Sequence, residues 1–253
     1  MPLRKLLQSK KFERIRRSLA KSSGVYFRLK KFSPSVSPEL RIAKILAHQK
    51  IDTVIDIGAN TGQFAESLYD FGYQGKVISF EPGLEAHKVL SKRAKNHSGW
   101  TVAEPCAIGA EAGELELNVS KNSVFSSLLK IKKDHAEQKS DSKTVRTEKV
   151  NVYPLDQIIG QYIDSEPHHI LLKIDTQGYE KEVIRGAQET LKKARAIKIE
   201  IPLFPIYENT GFTFYDILDF LKSEDFHPWN FEIEGVDYDS GKVNTIDGLF
   251  FRK

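Results

Sequence analysis

The chain of 253 residues has a single cysteine, Cys106. One thiol excludes an intramolecular disulfide framework and leaves no cysteine cluster for a structural zinc site. No stretch approaches the roughly 20 consecutive apolar residues of a membrane span. The basic start lacks the apolar run of a secretory signal, so a cytoplasmic protein is the simplest expectation. The main body also lacks an excess of positive charge. Residues 1–31 hold eleven Lys/Arg and one acid, Glu13, while the other 222 residues hold 27 Lys/Arg and 33 Asp/Glu, a balance of −6 beneath the overall +4. A nucleic-acid-binding surface spread over the body is therefore poorly supported.

The basic segment has its own pattern. Leu3, Leu7, Ile15 and Leu19 share a helical face with Phe12 nearby, and Arg4, Lys5, Lys10, Lys11, Arg14, Arg16 and Arg17 decorate the rest. Residues 1–36 read as a basic segment, helical or partly mobile, ahead of one domain over 37–253. Its simplest setting is a solvated helix lying on that domain. Peripheral contact with an anionic membrane surface is the second reading, and nucleic acid the third.

The remaining length is enough for one sizeable core, and there is no internal repeat. Ser37 is placed to cap a helix over 38–48, with Pro38 in its first turn. The apolar, β-branched run at 53–57 predicts a buried strand. A helix over about 62–71, a strand at 76–80 and a helix over 84–96 follow. This strand–helix–strand rhythm predicts a parallel sheet with helices on both faces. Residues 101–104 read as a third strand and 114–119 as an extra strand or hairpin arm. The charged stretch 130–149 reads as a surface excursion. Next come a helix near 154–164, a strand at 169–174, a helix near 180–193, a strand at 196–201 and a helix at 213–223. Late strands are expected near 227–233 and 246–251.

The sharpest local feature is Asp56-Ile-Gly-Ala-Asn-Thr-Gly62, joining a predicted strand to a predicted helix. Gly58 permits a tight turn and close backbone approach, and ligands of open α/β sheets bind beyond the carboxyl ends of the strands. A nicotinamide dinucleotide fingerprint needs a third glycine where Asn60 stands. Asp56, expected at the mouth of the loop, would repel a pyrophosphate but suit the α-ammonium of S-adenosylmethionine, directly or through water. Glu81 ends the second strand 19 residues after Gly62, where an acid accepts both hydroxyls of a ribose. The plain structural alternative makes Asp56 a helix-capping acid and Glu81 a turn residue. Ala107-Ile-Gly109 offers a small, aliphatic wall for an adenine, or equally a piece of core. The expected cofactor set is Asp56, Gly58, Ala59, Asn60, Gly62, Glu81, Pro82, Ala107, Ile108 and Asp175. Cys106 reads as a small buried hydrophobe, since no sequence-local partner activates it.

Two further acids stand at strand ends. Asp175, in Lys173-Ile-Asp-Thr-Gln-Gly-Tyr-Glu180, is expected at the carboxyl end of the fourth central strand, facing the crevice. Lys173 shares its parity or pairs with a nearby acid. Glu180 opens the next helix, where the helix dipole alone could explain an acid. Glu200, inside Ile197-Lys-Ile-Glu-Ile201, would be costly without a partner, so it faces the crevice or pairs with a base. Tyr207 and Glu208 follow in a loop placed to meet a substrate.

These motifs, in this order, resemble the FkbM-like class I methyltransferases over about residues 37–253. The resemblance rests on Val54-Ile-Asp-Ile-Gly-Ala-Asn-Thr-Gly62, Ile78-Ser-Phe-Glu-Pro82, Ala107-Ile-Gly109, Ser126-Ser-Leu-Leu129 and Leu155-Asp156. It continues with Lys173 to Glu180, Gly186-Ala187, Glu200 with Pro205-Ile-Tyr-Glu208, and Asp247-Gly-Leu-Phe-Phe-Arg252. It implies a single Rossmann-like α/β domain with a seven-stranded, mostly parallel sheet, one antiparallel strand near the C-terminal edge, and helices on both faces. It also implies S-adenosylmethionine as methyl donor and O-methylation of a hydroxyl, often on a sugar, glycan or polyketide. Some relatives carry Val-Glu where this chain has Thr176-Gln177, so Gln177 receives no base role.

An alkyl hydroxyl is a poor nucleophile, so a base within hydrogen-bond reach is expected. Asp175 is the first candidate for that role or for anchoring the hydroxyl, and Glu200 the second, with Glu180 and Tyr207 orienting the acceptor. Ser126 and Ser127 could donate to a ligand or cap a helix. Nitrogen or carboxyl acceptors, or cofactor binding without turnover, are the alternatives. No metal site is assigned: His168 and His169 precede their strand, at the end away from the crevice, and His87, His97 and His135 have no ligand-like partners. A divalent cation between Asp175 and Glu200 is the metal alternative. Nothing in the sequence sets the quaternary state.

Overall fold

The computed structural model describes residues 33–132, 142–164, 168–204, 206–237 and 239–253. The helix expected in the basic segment lies outside the described residues. Ser37 accepts the Leu40 amide at 3.2 Å and caps α1 (Pro38–His48). The chain continues through β1 (Thr53–Ile57), α2 (Gln63–Asp70), β2 (Lys76–Phe80), α3 (Leu84–Ala94), β3 (Trp100–Val102), β4 (Ala107–Ile108), β5 (Gly113–Ser120) and β6 (Thr144–Tyr153). Then follow α4 (Leu155–Ile158), β7 (Ile170–Ile174), α5 (Glu180–Arg185), α6 (Gln188–Lys193), β8 (Ala194–Pro202), α7 (Phe214–Ser223), β9 (Phe226–Val236) and β10 (Val243–Arg252).

Among the described residues, seven strands form one sheet in the order β3-β2-β1-β7-β8-β10-β9. All pair in parallel except β10, which runs antiparallel to both β8 and β9. This is the Rossmann-like sheet with one reversed strand. β1 and β7 are buried along their whole length, so successive side chains feed opposite cores. Ile55 and Ile57 join Leu172, Ile174, Ile199, Val183 and Ile217 on one face. Val54 and Leu171 join Leu46, Leu68 and Leu90 on the other. Helices therefore cover both faces, and the chain leaves β1 for β2 on one side and meets β7 on the other. That switch point opens a crevice at the carboxyl ends of the strands.

Three expectations needed correction. Part of the charged stretch 130–149 is β6, which pairs with β4 and β5 in a second, three-stranded sheet. Its first half is polar and mostly exposed, and only Val150 and Val152 are buried apolar residues, so the alternation was too faint to read. The helix expected over 180–193 is two, α5 and α6. Asp156 enforces the break: its carboxylate accepts the amides of Glu189 and Thr190, both at 2.8 Å, and the Thr190 hydroxyl at 2.6 Å. The helix expected near 154–164 shrinks to α4 and one 3-10 turn, Ile159–Gln161.

Candidate active site

Three connected openings lie at the carboxyl ends of the strands. A cleft of about 650 Å³ is walled by Glu81, Pro82, Ala107, Ile108 and Leu117 at one end and by Gly58, Asn60, Val124 and Asp175 at the other. A larger cavity of about 1530 Å³ lies across the glycine loop, between α1, α2 and β9. A third, of about 910 Å³, lies over Gln177, Glu200, Glu234 and Asp247. Asp175 and Val124 line all three.

Gly58 makes the junction possible. It has φ +75°, and a Cβ there would collide with the carbonyl of Asp175. No other residue both tolerates that dihedral and lets the two loops touch. Asn60 donates its amide to Glu81 Oε2 at 2.8 Å, and Gly83 donates to Oε1 at the same distance. Ser123 donates to Asn60 Oδ1 at 2.9 Å. Burial pushes the Glu81 carboxyl up to about 7, against the pull of the two amides. Each oxygen keeps a lone pair for a further donor.

Asp56 does not stand at the mouth of the loop. It is fully buried, 3.0 Å from Lys173 Nζ, and accepts the Ser79 hydroxyl at 3.3 Å. A carboxylate in a strand buried on both faces must be neutralised in place, and its cross-strand neighbour is Lys173. It is therefore sealed away from a ligand's ammonium. Lys173 also lies 3.4 Å from Asp175. Burial would lower the Lys173 pKa, but the two carboxylates overcome it and raise it.

Gln177, which carried no expectation of a role, is the hub. Its Nε2 donates to Asp175 Oδ1 at 2.9 Å and to Glu200 Oε2 at 3.0 Å. Its Oε1 accepts the Tyr207 hydroxyl at 2.8 Å, and its backbone carbonyl accepts the Ser127 hydroxyl at 2.7 Å. The residue adopts φ 56°, and Gly178 follows with φ +97° beneath the Tyr207 ring. Two successive left-handed residues are what return the side chain over the strand end. The Gln-Gly pair was the only sequence sign of this turn.

The two bridged acids differ. Burial opposes ionisation of Asp175, but the Lys173 ammonium and the Gln177 amide outweigh it and hold its pKa below the usual range. Burial drives Glu200 well above the usual range, and Asp175 and Glu180 push the same way. Two expected roles change. Glu180 does not face an acceptor: it is buried, and its Oε1 accepts the Thr176 amide and hydroxyl, each at 3.1 Å, and the Gly178 amide at 3.0 Å. It ties the loop that carries Gln177. Tyr207 is buried rather than turned to substrate, and it fixes the Gln177 amide. Ser126 accepts the Ser120 amide at 3.1 Å, while Ser127 also accepts the Leu129 amide at 2.9 Å. Both still line the first cleft, as does the buried Cys106, whose thiol burial pushes up to about 11. Lys198, also missed, pairs with Asp247 in the larger cavity.

The first cleft has a carboxylate with spare acceptor sites beside a slot walled by Ala107, Ile108 and Leu117. It suits a ribose next to a flat base. Arg41, whose buried Nε has no hydrogen-bond partner among the described residues, lies on the wall of the adjoining cavity. These groups fit S-adenosylmethionine, whose ribose hydroxyls need acceptors and whose carboxylate needs a donor.

Residues 56–228 match the model of the methyltransferase FkbM domain. The methyltransferase sdnD of Sordaria araneosa is 28% identical over 156 residues, which are 54% of this chain and 60% of that protein. The chain thus spans less than two thirds of the length of this curated relative. TehB from Haemophilus influenzae is 11% identical, with a TM-score of 0.47 over 94% of this chain and 67% of that one. Magnesium protoporphyrin IX methyltransferase from Synechocystis PCC 6803 is also 11% identical, with a TM-score of 0.44 over 99% of this chain and 95% of that one.

Proposed function

We propose, from the premise that the chain belongs to the FkbM family of S-adenosylmethionine-dependent methyltransferases, that it methylates a hydroxyl of a sugar, glycan or related small molecule. One observation carries the choice of a hydroxyl: the Asp175–Gln177–Glu200 bridge where the three openings meet. A hydroxyl needs a base. A buried carboxyl whose pKa lies above the ordinary range is a stronger proton acceptor than a stabilised carboxylate.

Glu81 accepts the ribose hydroxyls, and Ala107 with Ile108 walls the base. When bound, S-adenosylmethionine supplies an electrophilic methyl on a sulfonium that departs without protonation. Glu200 takes the proton of the acceptor hydroxyl at its carboxylate. Asp175, held ionised by Lys173, accepts from a second hydroxyl of the acceptor and so positions the reacting one. This reverses the order expected from sequence, in which Asp175 led. Gln177 holds both carboxylates in register, and Tyr207 prevents the amide from flipping. Positioning of this kind supplies several kcal/mol of a displacement barrier.

Calorimetric titration of S-adenosylmethionine into wild type and Glu81→Ala tests the donor half. Saturable binding that weakens at least tenfold in the variant is expected; undiminished affinity would remove Glu81 from the ribose site. A methyl-transfer screen of neutral sugars then tests the acceptor, and turnover only on amines or carboxylates would overturn the hydroxyl reading.

A further inference from the structure

The larger cavity is lined by charged side chains, and its two lysines are already paired. Lys173 lies between Asp56 and Asp175 and donates to the Gly58 carbonyl at 3.4 Å. Lys198 is joined to Asp247. Arg41, on α1, differs. A guanidinium has five N–H donors, yet the contact made by Arg41 is a long one of 3.5 Å from Nη2 to Glu232. Its Nε is buried and has no hydrogen-bond partner among the described residues. Such a donor forfeits its water and gains nothing in return.

The geometry of the openings says what could complete it. Gly58, Asn60, Val124 and Asp175 line both the first cleft and the larger cavity. A ligand whose ribose sits on Glu81 reaches the larger cavity only past these residues. The amino-acid tail of the methyl donor ends in a carboxylate, the one anion the ligand brings. The same walls carry two further acids, Glu39 and Glu234, besides the Glu232 that faces Arg41. A carboxylate entering there needs a cation with unused donors, and a guanidinium edge presents two parallel N–H groups to a carboxylate.

We propose that Arg41 is the anchor for the α-carboxylate of the donor's amino-acid tail, reaching over the glycine loop from α1. This deepens the donor assignment and rests on it. α1 thereby becomes part of the donor site, although it lies outside residues 56–228, the stretch that defines the family match. Glu232 shares the guanidinium with the incoming carboxylate and holds it in place when the site is empty.

The test compares two thioethers that differ only in the tail: S-adenosylhomocysteine, which carries the carboxylate, and 5′-methylthioadenosine, which lacks it. Their affinities for the full chain are measured by calorimetry in wild type, Arg41→Met and Arg41→Lys. Arg41→Met is expected to weaken S-adenosylhomocysteine at least tenfold and to leave 5′-methylthioadenosine within twofold of wild type. Arg41→Lys, which keeps the charge but loses the planar fork, should fall between for the first ligand only. Loss of neither ligand, or equal loss of both in Arg41→Lys, overturns the proposal and makes the residue structural. Wild type that binds neither thioether refutes the donor assignment itself and with it the anchor.

Discussion

β1 and β7 carry a charged cluster at each end, and the two clusters behave differently. At the amino ends, His168 lies 3.2 Å from Asp52 and 2.7 Å from Asp164. Both acids are about half exposed. At the carboxyl ends, a chain of contacts runs from Asp56 and Lys173, which are buried, to Asp175, Gln177 and Glu200, which are partly buried at the openings. The same strands present similar side chains, so the difference lies in hydration. Water screens the first cluster and leaves its pairs with little net stabilisation. The second must satisfy itself, and in doing so it drives two neighbouring carboxyls in opposite directions.

The largest effect that would break this contrast is on stability. Lys173→Met leaves Asp56 buried and unpaired, and it should cost about 3–5 kcal/mol, read as a lowered midpoint in denaturant. A loss near zero would mean that water reaches Asp56. Next comes catalysis. Glu200→Gln should lower kcat by about 10²–10⁴-fold while S-adenosylmethionine binding stays intact. The pH profile carries the sign. Glu200 must be ionised to accept a proton, and its pKa lies above the ordinary glutamate range. Wild-type kcat should therefore climb with pH through a limb above that range, and the glutamine variant should lack the limb. The smallest effect belongs to the other cluster. His168→Gln should shift stability by less than about 1 kcal/mol and leave kcat unchanged. A larger change there would erase the distinction between the two ends.

The sheet was legible because its central strands are short apolar runs bounded by turns, and Gly58 and Glu81 stood at the ends of two of them. β6 was hidden because its buried face holds few apolar residues. Asp56 was placed on the wrong side of the loop for a more instructive reason. A carboxylate inside an apolar strand needs a partner, and that holds for Asp56 within Val54-Ile-Asp-Ile57 as much as for Glu200. Lys173, expected to share the parity of Asp175 or to pair with a nearby acid, lies against both Asp175 and Asp56. Gln177 could not be found by its chemistry, since an amide is a poor candidate for acid–base work. Its importance comes from a left-handed backbone turn, which the Gln-Gly pair permits without announcing.

The reversed strand has a consequence for synthesis. β10 follows β9 in sequence yet lies between β9 and β8 in the sheet. Chains emerge from the ribosome amino end first, and their parts fold as they become available. The strands that carry Gly58, Glu81, Asp175 and Glu200 can therefore assemble while β9 still has no neighbour to join. The wall bearing Phe231, Glu232 and Glu234 closes only when the last strand slides into the gap. A nascent chain would thus hold the cleft beside Glu81 before the wall that closes the larger cavity and the opening over Glu200 is in place.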